Sequence, residues 1–239
     1  ELVEARDHYL QCLPYYDQLG DLKILKRIYY AIGRTSYDRG SYSFALQYFM
    51  LSLQVSQEMG DSIGIADSYH SIAKIYSSQN DSKQCIAYNN KALGIREAIG
   101  YKPGIAASSL NLGIVLMELG KLDDALMYAN QAFALRMETI DEKNIADPYG
   151  LLGDIYNKKG EYANAIIYHN KAIKIWGKHP DSKDDLAENI IGLGNVYVNK
   201  LSPDAGIAQY LKALKISEDI GNKNWIKACY AALFKAYKS

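Results

Sequence analysis

Arg27, Tyr30, Arg34 and Tyr37 recur at steps of three and four residues, so a helix would set them in one stripe. Arginine presents a planar fork of donors that meets a carboxylate with paired hydrogen bonds, and tyrosine adds contact area at low entropic cost. The chemistry this favours is recognition of an anionic partner, not bond making. Corresponding positions recur downstream as Asp67, His70, Lys74 and Ser77, then as Ala107, Leu110, Asn111, Ile114 and Met117. They continue as Asp147, Gly150, Asp154 and Asn157, and finally as Glu188, Ile191, Asn195 and Asn199. The faces run from basic and aromatic, through a short apolar patch, to acidic and amide-rich. Asn111, Asn157 and Asn195 each offer a donor and an acceptor group, which suits an extended peptide backbone. The competing reading is a solvated face with intrahelical pairs, because surface charges carry little energy.

Catalysis finds no constellation. The four histidines, His8, His70, His169 and His179, have no partner at metal-ligand spacing, and no H-E-x-x-H or C-x-x-C occurs. There is no G-x-S-x-G elbow, and the glycines of "GIREAIG" and "LGIVLMELG" sit in helical patterns, not between a strand and a helix. The sequence predicts no enzyme, metal or cofactor. His8 and His169 are read as packing residues, because repeated positions are filled for packing first.

The elements that must position these residues follow from a period of 40. Gly33, Gly113 and Gly153 mark it, Ala73 fills the same position, and Gly194 follows one residue late. Small residues come twelve positions after each marker (Ala45, Cys85, Ala125, Ala165, Gly206) and seven further on (Ser52, Ala92, Ala132, Ala172, Ala213). A fixed period of this length means a stacked array whose units bury their apolar faces against neighbours. Each period holds two amphipathic patterns. Gly20, Gly40, Gly60, Gly100, Gly120, Gly160 and Gly221 fall where left-handed closures end helices, while Asp21 and Asp61 suit N-caps and Pro103 a first helical turn. The pattern predicts twelve helices, at about 1–18, 22–39, 42–58, 62–79, 82–98, 102–119, 122–139, 143–159, 162–177, 183–200, 203–219 and 223–238, bounds good to about two to four residues. "WGKHPDSKDD" adds a residue after the fourth unit, and "NKLSPDAG" lacks the mid-unit glycine, so a local irregularity is predicted there. Residues 1–20 match a second half-unit, with Ala5 and Cys12 in the small positions, and 223–238 match a first half-unit. This predicts an internal piece of a longer protein, whose unpaired terminal helices favour self-association.

Most of the 21 tyrosines belong to the ladder. They occupy a first aromatic position (Tyr29, Tyr69, Tyr149, Tyr230), a second (Tyr76, Tyr156, Tyr197, Tyr237), and a second-helix position (Tyr48, Tyr88, Tyr128, Tyr168). Such rings bury their bodies while the hydroxyl reaches a partner or water.

With their Leu/Ile-Gly pairs and paired small residues, these positions resemble tetratricopeptide repeats of the 40-residue kind, over essentially the whole chain. The second helices carry the same likeness in "ALQYFMLSL", "CIAYNNKAL", "ALMYANQAF", "AIIYHNKAI" and "GIAQYLKAL". The resemblance implies an all-α, right-handed superhelical array over 1–239, made of a half unit, five full units and a half unit. It implies that first helices line a concave groove and that the activity is peptide or protein binding. Arg27, Tyr30, Arg34, Tyr37, His70, Lys74, Asn111, Asp154, Asn157 and Asn195 are then the candidate groove residues, with a partner acidic near the amino-terminal end. "EMGDSIGIADS" and "EAIGYKPGIAASSLNLG" are similar to arrays of bacterial signalling proteins; polarity adaptors and kinesin light chains carry similar repeats. A sensory or regulatory module is the leading expectation, and an adaptor that links two proteins without switching is the alternative. Arrays that clamp a terminal carboxylate with Lys and Asn are not matched, since those positions hold Tyr30, Arg34, Ser71, Ala107 and Asn111.

Composition agrees. Formal net charge is zero, with 27 basic and 27 acidic residues, which disfavours nucleic acid. No run approaches the ~18 apolar residues of a membrane span. Three scattered cysteines, Cys12, Cys85 and Cys229, form no disulfide framework and lean toward a cytoplasmic setting, or a periplasmic one if a signal peptide lies upstream. Cys12 and Cys85 are read as small buried hydrophobes.

Overall fold

The computed structural model describes the backbone of residues 2–138, 142–200 and 202–238, and their side chains except those of 2–6, 17 and 19. Among the described residues the chain is all-α: α1 (Leu2–Leu19), α2 (Leu22–Asp38), α3 (Tyr42–Glu58), α4 (Ser62–Ser78), α5 (Ser82–Ala98), α6 (Lys102–Glu118), α7 (Leu122–Met137), α8 (Ala146–Lys158), α9 (Tyr162–Trp176), α10 (Lys183–Asn199), α11 (Pro203–Asp219) and α12 (Lys223–Ala236). Short 3-10 turns cover Glu142–Ile145 and Pro180–Ser182. They group into two compact units, Glu1–Val115 and Leu116–Ser239. No described helix is long and apolar enough to cross a membrane.

The helix ends follow the predicted punctuation. All seven predicted closing glycines have positive φ, between 64° and 76°, a conformation that costs glycine nothing. The eighth such position is Asn80, at φ 60°, and asparagine is the residue that best tolerates it after glycine. Asp21 and Asp61 cap α2 and α4 as predicted, accepting from the amides of Ile24 and Gly64. Asp81 and Asn222 do the same for α5 and α12. The one start that departs from the prediction is α8: Glu142–Ile145 wind as a 3-10 turn, and the α-helix opens at Ala146.

α2 packs on α3, α4 on α5, α8 on α9 and α10 on α11. Ala45, Cys85, Ala125 and Ala165 are buried, as are Ser52, Ala92, Ala132, Ala172 and Ala213, so these small residues let helices close on one another. Three of the marker glycines, Gly33, Gly153 and Gly194, receive a ring from sixteen residues downstream. A Cβ at Gly33 would lie 2.8 Å from the Phe49 ring, one at Gly153 2.7 Å from His169, and one at Gly194 2.5 Å from Tyr210. Such overlaps are not relieved cheaply in a packed core.

The tyrosine ladder is a packing device. Tyr76 stacks on Tyr88 and Tyr156 on Tyr168, with centroids 5.5 and 5.4 Å apart. Lys91 sits over Tyr69 and Tyr88 in one unit, Lys171 over Tyr149 and Tyr168 in the other. His169 is buried, as the repeat predicts.

Four predicted packing residues are corrected. His8 is exposed, because α1 has a first helix, α2, on one side only. Cys12 is exposed too, facing an open cavity between α1, α2 and α4. Tyr230 and Tyr237 keep their register in α12 but are 55% and 69% exposed, since no described helix covers that face. Ala5 lies outside the described side chains.

Candidate functional site

In the first unit the predicted stripe divides by burial. Leu25, Ile28 and Ile32 anchor α2 in the core and hold Arg27 and Arg34 outward, both exposed. Neither makes an ion pair among the described residues. Tyr30 and Tyr37 are instead half-buried between α2 and α4. Tyr30 meets the Phe49 ring edge-on at 5.3 Å and shares a 2.9 Å hydrogen bond with Ser71. Tyr37 shares one of 2.9 Å with Ser78, and the Lys74 ammonium lies 5.2 Å from its ring centre.

Arg27 and Arg34 line a cavity of about 700 Å³ together with Tyr9, Tyr30, Asp61 and Asp67. The two carboxylates there are already engaged. Asp61 pairs with Lys26 and caps α4, and the Lys26 hydrogen bond, then the Gly64 amide, hold its carboxyl below the usual range. Asp67 Oδ1 accepts from Arg96 Nη2 at 2.7 Å. Among the described residues, the charge left free in this cavity is positive.

Arg96 is the functional neighbour the sequence reading missed. It starts on α5 and is buried, passing through the stack beside Gly104, where a Cβ would lie 2.7 Å from its side chain. Its Nη1 donates to Ser108 Oγ at 2.7 Å and to the Gly104 carbonyl at 3.1 Å, and lies 3.5 Å from His70 Nδ1. His70 also lies within 3.4 Å of the Asn111 amide. Burial first, then Arg96 and Lys74, push the His70 pKa down to about 3, so its imidazole is neutral at physiological pH. The only sequence sign of this network is Gly104, which repeats Gly64 one period on.

The second unit carries the acidic face. Asp147 and Asp154 stand on α8, Asp185 and Glu188 on α10. Asp147 Oδ2 accepts from Arg136 Nη1 at 2.6 Å. Burial on the crowded face pushes Asp154 up to about 7 against the pull of Lys158. Solvent screens part of this, since 42% of the Asp154 side chain is exposed. Glu188 also rises to about 7, through desolvation on the crowded face and then repulsion from Asp154, Asp185 and Asp147, and because its side chain is exposed solvent screens part of this as well. Asn157 and Asn195 have structural partners: Asn199 Nδ2 donates to Asn157 Oδ1 at 3.0 Å, and the Tyr210 hydroxyl donates to Asn195 Oδ1 at 2.7 Å.

A pattern joins these bonds. Tyr30–Ser71, Tyr37–Ser78 and His70–Asn111 each span 41 residues and Asn157–Asn199 spans 42. They are rungs between successive first helices, one or two residues beyond the repeat period. Five of the ten candidate groove residues, Tyr30, Tyr37, His70, Asn111 and Asn157, serve in rungs.

Two family models, both described as tetratricopeptide repeat, match residues 66–99 and 104–178. The chain carries tetratricopeptide repeats over those residues. No curated protein matches it in sequence. Among solved structures, BtubC (BKLC) from P. vanneervenii superposes with a TM-score of 0.76 at 19% identity, covering 92% of each chain. A Rap protein complexed with Competence and Sporulation Factor gives 0.78 at 15% identity, over 99% of this chain and 72% of that one. NprR in complex with its cognate peptide NprX gives 0.76 at 17% identity, over 100% and 68%. At these identities the likeness is one of fold.

Proposed function

We propose that the chain is a single array of tetratricopeptide repeats that acts as a non-catalytic peptide-binding module, the sensory or regulatory region of a bacterial signalling protein. The observation that carries the binding reading is the pair Arg27 and Arg34, exposed and without an ion pair among the described residues, on the wall of a cavity of about 700 Å³. Cavities of that size accommodate ligand side chains, and a guanidinium left without a carboxylate is a ready anion receptor. NprR in complex with its cognate peptide and a Rap conjugation gene regulator in complex with the Phr* peptide support the same reading of the fold.

The two arginines lie seven residues apart on α2, about 10 Å along the axis. An extended segment covers that distance in about three residues. The ligand predicted for this face has two acidic side chains three positions apart. Screening the chain against an immobilised pentapeptide library tests this. Acidic residues should be enriched at that spacing, and the Arg27→Ala/Arg34→Ala variant should bind a selected peptide roughly tenfold more weakly. Selection without acidic residues, or unchanged affinity in the variant, would remove the assignment of this face.

A further inference from the structure

We propose that the exposed face shared by α8 and α10 receives a cationic side chain, arginine or lysine, of the bound peptide, with Asp154 and Glu188 as its carboxylate partners. This rests on the peptide-binding reading above and extends it to the second unit.

Glu188 carries the first argument. It is exposed on α10 and makes no ion pair or hydrogen bond among the described residues. Every charged group acting on it is acidic: Asp154, Asp185 and Asp147. The cations nearby are committed elsewhere on the face. Arg136 holds Asp147, while Lys143 acts on Asp185 and Lys158 on Asp154. Carboxylates crowded without a counter-ion repel one another, and an arriving cation relieves that repulsion.

The second argument lies beneath them. His169 is 1% exposed, wedged between Gly153 and Gly192, where a Cβ would lie 2.7 and 2.4 Å from its ring. Among the described residues neither ring nitrogen meets hydrogen-bond geometry, although the Asn189 side chain is close enough to draw the imidazole pKa upward, and Nε2 lies 3.6 Å from Asp154 Oδ1. Burial pushes this imidazole down to about 4, so it is neutral at physiological pH and holds one N–H. The Asn189 side-chain carbonyl is a second buried orphan, held close to α8 at Gly150. A buried imidazole aimed at a carboxylate is placed to donate to it once a cation keeps that carboxylate ionised. Among the described residues no three His, Cys, Asp or Glu groups converge to hold a metal ion. The fitting cation is therefore one that brings its own donors on a long side chain.

The same immobilised pentapeptide library, N-acetylated and C-amidated, provides the probe. Arginine or lysine should be enriched at one position, the ratio of the two distinguishing a guanidinium from an ammonium. Asp154→Asn/Glu188→Gln should erase that enrichment and weaken a selected peptide about tenfold, while selection through Arg27 and Arg34 persists. Both substitutions relieve repulsion, so an unchanged or raised Tm at pH 8 shows that the variant is folded. Glu188→Lys should turn the preference at that position from basic to acidic. Peptides bound with no basic preference, or a preference that survives the double variant, would overturn this proposal and leave the peptide-binding reading standing. A chain that selects no peptide at all would overturn both.

Discussion

The two units place an arginine at the same repeat position and use it differently. Arg96, in the first, is buried and reaches four groups at once: Asp67, Ser108, the Gly104 carbonyl and His70. Arg136, forty residues on, makes the matching bond to a carbonyl eight residues ahead, that of Asn144, but its side chain is 19% exposed and its carboxylate partner, Asp147, 47%. Gly104 lets the first arginine into the stack; Asn144 in the matching position leaves the second near the surface. A repeat position thus fixes where a side chain starts, and its neighbours decide whether it becomes a core strut or a surface pair. The consequence extends to charge. In the first unit Arg96 pairs with Asp67, and Arg27 and Arg34 stand on the cavity wall without an ion pair among the described residues. In the second, Arg136 pairs with Asp147, while Asp154 and Glu188 stand on the face without a cation bound to them among the described residues.

The largest effect that can break this comparison is on stability. Arg96→Ala removes a buried cation and strands the groups it serves, which costs about 3 kcal/mol when a buried pair is broken. Arg136→Ala removes a solvent-screened pair and should cost about 1 kcal/mol or less. For a chain of this size the expected falls in Tm are roughly 9 °C and 2 °C. Equal falls, measured by thermal unfolding under one set of conditions, would show that the difference in burial is energetically empty.

Much of this architecture was legible in the sequence. The period, the closing glycines and the capping aspartates are local signals, each set by one or two residues, and the helix bounds follow from them. Asn80 was not read as a closure because asparagine takes left-handed conformations less often than glycine. The late start of α8 depends on a turn that no single residue announces. The candidate face was found, but the fate of its members was not. Tyr30, Tyr37, His70 and Asn157 are polar residues at groove positions, and the period alone cannot reveal that each finds a partner 41 or 42 residues away. That offset comes from how neighbouring first helices are staggered. Arg96 escaped notice because its position reads as second-helix core, filled elsewhere by Ser56, Trp176 and Ser217.

Acid should separate the units next. His70 and His169 have folded pKa values of about 3 and about 4, below the usual 6.5. Each therefore contributes stability that is full above pH 6.5 and drains as pH falls, because the unfolded chain takes up the proton first. At pH 5 the loss is about 2 kcal/mol per histidine. Asp154 and Glu188 work in the opposite sense. Their folded pKa values are raised to about 7, so the folded state takes up protons first, and their contribution returns as pH falls from 7 toward 4. The first unit has the histidine without such carboxylates, and the second has both. Hydrogen exchange at pH 7 and pH 5, corrected for the intrinsic rate, should show α4 and α6 losing more protection than α8 and α10. Equal loss would mean that the acidic face of the second unit does not offset its buried histidine.

The smallest effect concerns the rungs. Tyr30→Phe keeps the ring against Phe49 and deletes only the hydroxyl that meets Ser71, leaving a buried oxygen unpaired. A loss of about 1 kcal/mol is expected. Tyr37→Phe should cost less, because Ser78 is exposed, donates to the Lys74 carbonyl and can turn to water. If these tyrosines are rungs and not ligand contacts, neither substitution should change the affinity for an acidic peptide, whereas Arg27→Ala should. The two readouts separate along one helix face: stability follows the tyrosine hydroxyls, and binding follows the guanidinium groups between them. A Tyr30→Phe variant of unchanged Tm and weakened binding would reverse that division and return Tyr30 to the ligand.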